Sequence, residues 1–287
     1  MIVIVLVTKL LIMRIKTVIK KSVIKFCIIL FLFNNLFAQN DSIISLDYYV
    51  EYTDFPNVRY TIFNYDILDN GLICIPLYNG IYIAGIDSWL IEPVDKNLVV
   101  ALCKSNFDNS IYIIKGNSDT MFIERRFPKI ENKQPQRITD ITPGFYNLQC
   151  FGVDSLILSG INDTLWSIYT YNGKKIDTLL TQTEPITGIF MLNRNSFIYS
   201  TTKDIILVQP DTDPIRLIES EVPIESFAFS EDGYMYISID NAIYKYNSLT
   251  AIEPVILGIN GLLKSFNNSI YVLSQERNQI IILSKKE

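Results

Sequence analysis

The side chains with the most obvious chemical potential in this sequence are acids and hydroxyls set around short apolar runs. The stretch SEDGYMYISIDNAIYKYN, residues 230–247, contains Ser230, Glu231, Asp232 and Asp240. Carboxylates of this kind can act as general acids or bases, and their oxygens can hold a calcium ion. The sequence contains no histidine, which removes the commonest general base and all imidazole metal sites. The chemistry left open is therefore carboxylate catalysis or an oxygen-ligated calcium site.

The same residue types recur at regular intervals, and this favours a structural role for them. Six Asn or Asp residues, each followed by Gly or Ser and an apolar run, open successive repeats about 40 residues apart. These six are Asn70, Asn109, Asp154, Asn195, Asp232 and Asn268. Asn and Asp tolerate left-handed backbone angles and concentrate where strands reverse. The sequence predicts them to be structural turn residues, and it assigns no catalytic residue, binding residue or metal ligand.

The apolar runs between these turns predict strands. They alternate or run continuously, and they are rich in Ile, Tyr, Val and Phe, which is typical of strands rather than helices. A second Asn or Asp follows each opening by nine or ten residues, and further apolar runs flank each pair. Each repeat is thus a four-stranded meander, the size of one β-propeller blade. The predicted fold is an all-β, six-bladed β-propeller, with an unclosed β-solenoid or a large sandwich as alternatives.

The last repeat predicts how the ring closes. It reaches Glu287 directly after its third strand, so its fourth strand has to come from elsewhere. The segment IISLDYYVEYT, residues 43–53, has strand composition and has no place in the first blade. We expect it to be the outermost strand of the last blade, because closure leaves no open edge between first and last blades.

One repeat also carries a family resemblance. The stretch DGYMYISIDNAIYKYN, residues 232–247, resembles the NHL-type repeat of six-bladed propellers, with its Asp-Gly, apolar-aromatic strand and second Asp. This resemblance is in the arrangement of strands within each blade, and it extends across residues 59–287. In plan the chain also resembles six-bladed lactonase-like propellers, which hold metal through oxygen ligands at the mouth of the central channel. That second resemblance implies an alternative function, a calcium-assisted hydrolase or lactonase with a carboxylate-lined channel.

The N-terminus predicts export. Residues 1–38 combine basic residues with the apolar core FCIILFLF (26–33), as a signal peptide does, and cleavage is expected after Ala38. A well-formed signal begins at Met13, which we take as the expected translation start. The remaining residues, 39–287, form the single propeller domain with no predicted transmembrane segment. The alternative is that residues 1–38 stay uncleaved and anchor the domain.

The charge balance narrows the range of partners. Residues 1–38 hold six of the 25 basic residues and none of the 30 acidic ones. The processed chain is therefore more acidic than the formal net charge of −5, and this argues against a nucleic-acid partner. The abundance of Ile, Asn, Lys and Tyr suggests an AT-rich, bacterial genome, so the expected location is the periplasm, the cell surface or the medium.

Cysteine usage gives no disulfide framework. Cys27 leaves with the signal peptide, so Cys74, Cys103 and Cys150 remain. Cys74 and Cys103 lie in expected core strands, where a thiol behaves as a small apolar side chain. Whether these two form a disulfide stays open at the level of sequence.

Two functions remain open from the sequence. The favoured one is an exported, non-catalytic β-propeller that serves as a binding or scaffold module for a protein, peptide or glycan, with no cofactor. The alternative is the calcium-assisted hydrolase or lactonase.

Overall fold

The fold was obtained as a computed structural model, which divides into two compact units, Met1–Ile44 and Ser45–Glu287. The second unit contains the six repeats. The structure describes residues 44–45, 47–55, 61–77, 80–84, 89–93, 98–105, 107–108, 110–117, 119–127, 134–142, 144–246 and 252–286. The predicted signal peptide, residues 1–38, lies outside the described residues, and so does the turn residue Asn109.

All regular structure in the described residues is β-strand. The strands before and in the first two repeats are β1 (Ile44–Ser45), β2 (Tyr48–Asp54), β3 (Asp66–Ile67), β4 (Ile73–Leu77), β5 (Gly80–Ala84), β6 (Trp89–Pro93), β7 (Leu98–Lys104), β8 (Ile111–Gly116), β9 (Met121–Arg126) and β10 (Gln136–Ile141). The third and fourth repeats contain β11 (Phe145–Gly152), β12 (Ser155–Asn162), β13 (Leu165–Asn172), β14 (Ile176–Gln182), β15 (Gly188–Asn193), β16 (Ser196–Ser200), β17 (Asp204–Val208) and β18 (Ile215–Glu219). The last two contain β19 (Ile224–Phe229), β20 (Met235–Ile239), β21 (Ala242–Tyr246), β22 (Ile252–Leu257), β23 (Leu262–Phe266), β24 (Ser269–Ser274) and β25 (Gln279–Lys285).

These strands form six antiparallel sheets, and the sheets form a ring. Five sheets are built from consecutive strands in the orders β3–β6, β7–β10, β11–β14, β15–β18 and β19–β22, and Ser45 ends a short extra strand at the outer edge of the fifth. The first strands contact one another in the cyclic order β3, β7, β11, β15, β19 and β23, and β23 returns to β3. The protein is therefore a six-bladed β-propeller, the fold class that the repeats predict.

The sixth sheet is completed by chain from the start of the domain. Its order is β2-β25-β24-β23, and β2 pairs with β25 from Tyr48↔Lys285 to Asp54↔Gln279. The Tyr48 and Tyr236 hydroxyls are 2.9 Å apart, so β2 also hydrogen-bonds the fifth blade. This pairing is the one that the sequence predicts for residues 43–53, although the strand in the sixth sheet begins at Tyr48.

Burial falls from the second strand of each blade outwards. Every residue of β8, β16 and β20 is buried, whereas most of β18 and half of β22 are exposed. A second strand has neighbouring blades on both faces, so its apolar run is continuous rather than alternating. Each fully buried Ile or Leu contributes about 1.5–3 kcal/mol, and the apolar clusters lie between successive blades.

The first blade departs from the expected pattern at its inner strand. The run TIFNYDI (61–67) predicts a full strand, but only Asp66–Ile67 pairs with β4. The preceding residues bond to other blades instead: the Ile62 amide donates to Gln275 Oε1 at 3.1 Å. The Tyr65 hydroxyl donates to the Tyr271 carbonyl at 2.7 Å. These contacts with the sixth blade take the place of ladder bonds.

A search of the described part of the chain finds no helix with the length and apolarity needed to cross a bilayer.

Candidate functional site

The central channel is the main cavity at the axis of the ring. It has a volume of about 200 Å³ and is lined by the inner segments of all six blades. It reaches from Gly188 and Leu262, the first residues of β15 and β23, to Lys104 and Phe229, the last residues of β7 and β19. The cavity therefore extends along the whole length of the inner strands.

One side of the channel is aromatic. Phe190 of β15 and Phe229 of β19 have ring centroids 4.7 Å apart, and Phe227 meets Phe229 edge to face at 6.0 Å. Such pairs stabilise their packing by about 0.5–1.5 kcal/mol beyond area burial. All three rings line the cavity. The fourth and fifth blades thus give the channel an apolar wall.

The opposite side of the channel is charged and belongs to the sixth, first and second blades. Asp66 accepts hydrogen bonds from the Ile67 amide and the Lys104 amide, both at 2.9 Å. Lys264 Nζ lies 3.9 Å from Asp66 Oδ2, and Lys104 Nζ is 2.8 Å from Asp69 Oδ1. The channel wall therefore pairs two ammonium groups with two carboxylates.

Further polar side chains near the axis bind the backbone of the next blade. Asn64 donates to the Leu102 carbonyl at 2.8 Å and accepts from the Leu102 amide at 3.0 Å. Gln149 Oε1 accepts from the Met191 amide at 2.8 Å. Ser226 accepts from the amide of Leu263 and donates to the carbonyl of Gly261. First strands have no partner strand on the axis side, so these bonds satisfy backbone groups at an otherwise open sheet edge.

These bonds bear on the calcium alternative. The oxygens of Asn64, Asp66 and Gln149 are the ones that a metal ion in the channel would use, and each accepts a backbone N–H bond. Among the described residues there is also no group of three or more acidic or cysteine side chains placed to hold a metal ion. A calcium ion would have to share these oxygens with the N–H bonds that link one blade to the next.

The two ends of the ring carry different turns. Strands alternate in direction within each blade, so all turns between first and second strands lie at one end, which we call the opening-turn end. The turns between second and third strands lie at the other end, the second-turn end.

An arc of exposed apolar side chains lies at the opening-turn end. Phe107, Val153 and Leu192 are 57%, 66% and 46% exposed. They belong to the second, third and fourth blades, at or beside the same turn in each. We call these three residues the apolar arc. Exposed apolar patches are typical of interaction sites, and these three side chains occupy equivalent places on successive blades.

Arg125 holds together the acids beside this arc. Its guanidinium contacts Asp108 Oδ2 at 2.8 Å and Asp154 Oδ1 at 3.4 Å, and its Nε donates to Ser110 Oγ at 3.0 Å. The Tyr112 hydroxyl donates to Asp154 at 2.8 Å. The carboxylates that flank Phe107 and Val153 thus share one cation, and the cluster keeps a net charge of about −1.

These contacts shift two pKa values. Burial by itself would raise the pKa of Asp108, but hydrogen bonds from Ser110 and the Arg125 guanidinium outweigh it, so the pKa lies below its ordinary value. Burial, followed by the hydrogen bond to Asp154, raises the pKa of Tyr112. At neutral pH the acid is charged and the phenol is neutral, as the network requires.

The predicted turn residues lie at the opening-turn end, apart from Asn109, which is outside the described residues. Asp154 and Asn268 have φ angles of 48° and 58°, in the left-handed region. Asn70 Oδ1 accepts from the Leu72 amide at 3.2 Å, and Asp232 accepts from the Ser230 hydroxyl. The remaining one, Asn195, donates its amide to Asn193 Oδ1 at 2.9 Å.

Cys74, Cys103 and Cys150 are buried thiols outside any disulfide. Cys74 packs in the cluster between the first and second blades, and Cys103 packs with Cys150 between the second and third. The disulfide between Cys74 and Cys103 that the sequence left open is therefore absent. Burial raises the pKa of the Cys103 thiol, which keeps it protonated and unreactive.

The channel residues are the part of the site that the sequence reasoning missed. Lys104 and Lys264 are lone charges in otherwise apolar inner strands, and Phe190 and Phe229 occupy similar places in theirs. All four stand three to five residues before their opening turn. A charge at that position in an apolar run was the available signal.

Comparisons with known proteins support the fold alone. No protein-family model matches the chain, and no curated protein matches it. Among solved structures it is similar to the WD40 β-propeller domain of Doa1, with a TM-score of 0.61, 11% identity, and coverage of 83% of this chain and 98% of that one. It is also similar to a chain of the nidogen/laminin complex, with a TM-score of 0.59, 10% identity, and coverage of 74% and 88%.

A third similar structure is the extracellular domain of the putative hybrid two-component system BT4673 from B. thetaiotaomicron. The TM-score is 0.51 at 14% identity, and the match covers 79% of this chain but 32% of that one. The identities are low in all three cases, so the likeness concerns the propeller architecture.

Proposed function

We propose that the protein is an exported, non-catalytic binding module that takes a protein or peptide partner on its opening-turn end. The observation that carries this proposal is the apolar arc, Phe107, Val153 and Leu192, which repeats one exposed apolar side chain on three successive blades. A rigid ring presents these side chains at fixed separations without any cost of ordering a loop.

Pairing of the charges beside the arc supports the same proposal. Asp108 and Asp154 would have to be desolvated when a partner covers Phe107 and Val153, and unpaired carboxylates resist this. Arg125 already pairs with both. The cores of protein interfaces are depleted of free charges and enriched in aromatic residues, and this surface has both properties.

The structural neighbours are compatible with a partner-binding role. One of them comes from the nidogen/laminin complex, so a ring of this architecture can take part in a protein assembly. The proposal for this chain rests on its own surface, because the shared architecture does not carry a shared partner.

A peptide selection tests the proposal even though the natural partner is unidentified. A phage-displayed peptide library is selected on the intact protein, and the enriched peptides are measured against the triple variant Phe107→Ser, Val153→Ser, Leu192→Ser. We expect the triple variant to weaken binding at least about a hundredfold, since each buried apolar contact contributes about 1–3 kcal/mol.

The matched control uses exposed apolar residues of the opposite end. The variant Leu165→Ser, Val222→Ser removes side chains of similar exposure at the second-turn end, and we expect the selected peptides to bind it as they bind the wild type. Peptides that lose affinity for the control variant but keep it for the triple variant would place the binding surface at the other end.

Export is proposed from the N-terminal segment and has its own test. Mass spectrometry of the protein recovered from a bacterial host that exports it should give a mature chain that begins at Gln39. Recovery of the unprocessed chain in the membrane fraction would favour the anchored alternative for residues 1–38.

A further inference from the structure

The charged wall of the channel contains an ammonium group with unoccupied hydrogen-bond capacity. Lys264 Nζ has its nearest carboxylate oxygen, Asp66 Oδ2, at 3.9 Å, which is beyond hydrogen-bond distance. That carboxylate is already held by the amides of Ile67 and Lys104. An ammonium carries three donors, and none of those on Lys264 has an acceptor within hydrogen-bond distance among the described residues.

A second polar group in the same strand lacks a partner. Ser265 lines the channel next to Lys264, and its hydroxyl is buried without a hydrogen-bond partner among the described residues. A buried hydroxyl that makes no hydrogen bond costs about 1–3 kcal/mol. A polar ligand at this wall would gain bonds that the protein alone leaves unmade.

The cavity that these donors line also has an aromatic wall, and it is small. Phe190 and Phe229 line it from the fourth and fifth blades, and the fifth blade adjoins the sixth. The volume of about 200 Å³ is below the roughly 300–1,000 Å³ of pockets for drug-sized ligands. The space suits a group no larger than about one amino-acid residue, with an apolar part and a hydrogen-bond acceptor.

We propose that the channel binds a carboxylate attached to a small aromatic or aliphatic group, with the carboxylate on Lys264 and the apolar group against Phe190 and Phe229. The free ligand can be a small aromatic acid or the C-terminal residue of a peptide, since both present the same chemistry. The inference rests on the proposed binding function and names the chemical group that it recognises.

A carboxylate fits this wall better than a cation or a neutral amide. Each oxygen of Asp66 already accepts one backbone N–H bond, so a cationic ligand would have to share that carboxylate with the backbone and with the Lys264 ammonium. Bonds between an ammonium and a carboxylate are roughly twice as strong as neutral ones. Lys104 Nζ is held by Asp69, which leaves Lys264 as the contact that sets the preference.

The test compares two probes that differ only in the acceptor group. N-acetylphenylalanine and N-acetylphenylalanine amide are titrated into the intact protein by calorimetry. The acid is expected to bind about tenfold more tightly than the amide. In Lys264→Met the preference should disappear, because the stem is kept and the charge removed, whereas Phe229→Ala should weaken both probes.

The matched control is Lys175→Met, at a lysine in the turn between β13 and β14 that pairs with Asp177; it should keep the tenfold preference. The melting temperature of each variant checks that the ring is intact. Equal binding of acid and amide by the wild type, or an unchanged preference in Lys264→Met, would overturn the proposal.

Longer probes distinguish the two sources of the carboxylate. A pentapeptide that ends in phenylalanine with a free carboxylate should bind more tightly than N-acetylphenylalanine if the ligand is a peptide terminus. Equal affinity would indicate a free acid. If none of the carboxylates binds, the channel inference is wrong, while the peptide selection on the apolar arc still decides the proposed function.

Discussion

The two ends of the propeller differ in how they treat the acids next to exposed apolar residues. At the opening-turn end, Asp108 and Asp154 stand beside Phe107 and Val153, and both contact Arg125. One cation therefore serves both acids, and a partner that covers the apolar arc meets carboxylates that are already paired rather than free.

At the second-turn end the acids remain in water. Asp163, Glu184, Glu221, Asp240 and Glu276 are exposed and have no basic group at ion-pair distance within the described ranges. Two of them stand close to the exposed Leu165 and Val222. Free carboxylates keep a surface hydrated and repel other acidic surfaces. The comparison leads us to expect binding at exposed apolar residues whose neighbouring charges are paired.

The largest expected effect concerns the ring that both ends share. Replacing Asn64 by Leu should lower the free energy of unfolding by about 2–4 kcal/mol, because the Leu102 amide and carbonyl lose their partner. Chemical denaturation measures the change. The control is Asn162→Leu at an exposed site, which should change stability by less than about 0.5 kcal/mol.

Asn64→Leu also tests whether the two ends are parts of one rigid body. Hydrogen exchange should increase at both ends. Faster exchange confined to the first two blades at one end would contradict the view that the ends differ only in their surfaces.

The next effect removes the charge compensation from the opening-turn end. Arg125→Met should lower stability by about 1–3 kcal/mol, since two partly buried carboxylates and Ser110 lose a partner. It should also weaken the selected peptides, because the acids beside the arc become free. The measurements are denaturation and peptide titration, with the exposed Arg194→Met as control.

Lowering the pH of the wild-type protein should reproduce part of this loss of stability. The folded pKa of Asp108 lies below its ordinary value, so its contribution is present above the ordinary carboxyl pKa of about 4 and is lost as pH falls through the folded value. Arg125→Met should reduce this dependence of stability on pH. If Arg125→Met loses stability at low pH as the wild type does, the lowered pKa of Asp108 does not depend on Arg125.

Smaller effects on stability and peptide affinity are expected from substitutions at the second-turn end. Glu184→Gln with Glu221→Gln should change stability by less than about 0.5 kcal/mol and should leave the affinity for the selected peptides unchanged. Titration of the double variant checks both statements. A loss of peptide affinity above about threefold would mean that the second-turn end contributes to binding.

The smallest expected effect is the response to calcium. Thermal melting with calcium and with a chelator should give the same midpoint, since the channel oxygens of Asn64, Asp66 and Gln149 are engaged with backbone amides. An upward shift with calcium that Asp66→Asn abolishes would revive the hydrolase alternative.

The architecture could be predicted from the sequence because its signals are local. Asn and Asp at the reversals, and strands between them, set the blade repeat, and the strand composition of residues 43–53 indicated the closing strand. Residues 61–65 escaped the prediction because the Ile62 amide and the side chains of Asn64 and Tyr65 bond to partners in different blades. No local pattern contains that information.

The candidate site was predictable only in part, for a related reason. Lys264 and Phe229 line one cavity because the ring brings six inner strands to one axis, and their separation in the sequence does not indicate this. Asp154 was recognised as a turn residue, but its contact with Arg125 crosses from the third blade to the second. Contacts between blades depend on how the sheets tilt against one another, which residue types alone do not determine.

The closing strand has a consequence for the order of folding. Gln279 bonds Asp54 across 225 positions of sequence, so β2 is synthesised long before β25 exists to receive it. Contacts of such high sequence separation form slowly. Until they form, the early strands have an unpaired edge that invites aggregation, and we expect the chain to depend on holding chaperones until its last strand has been made.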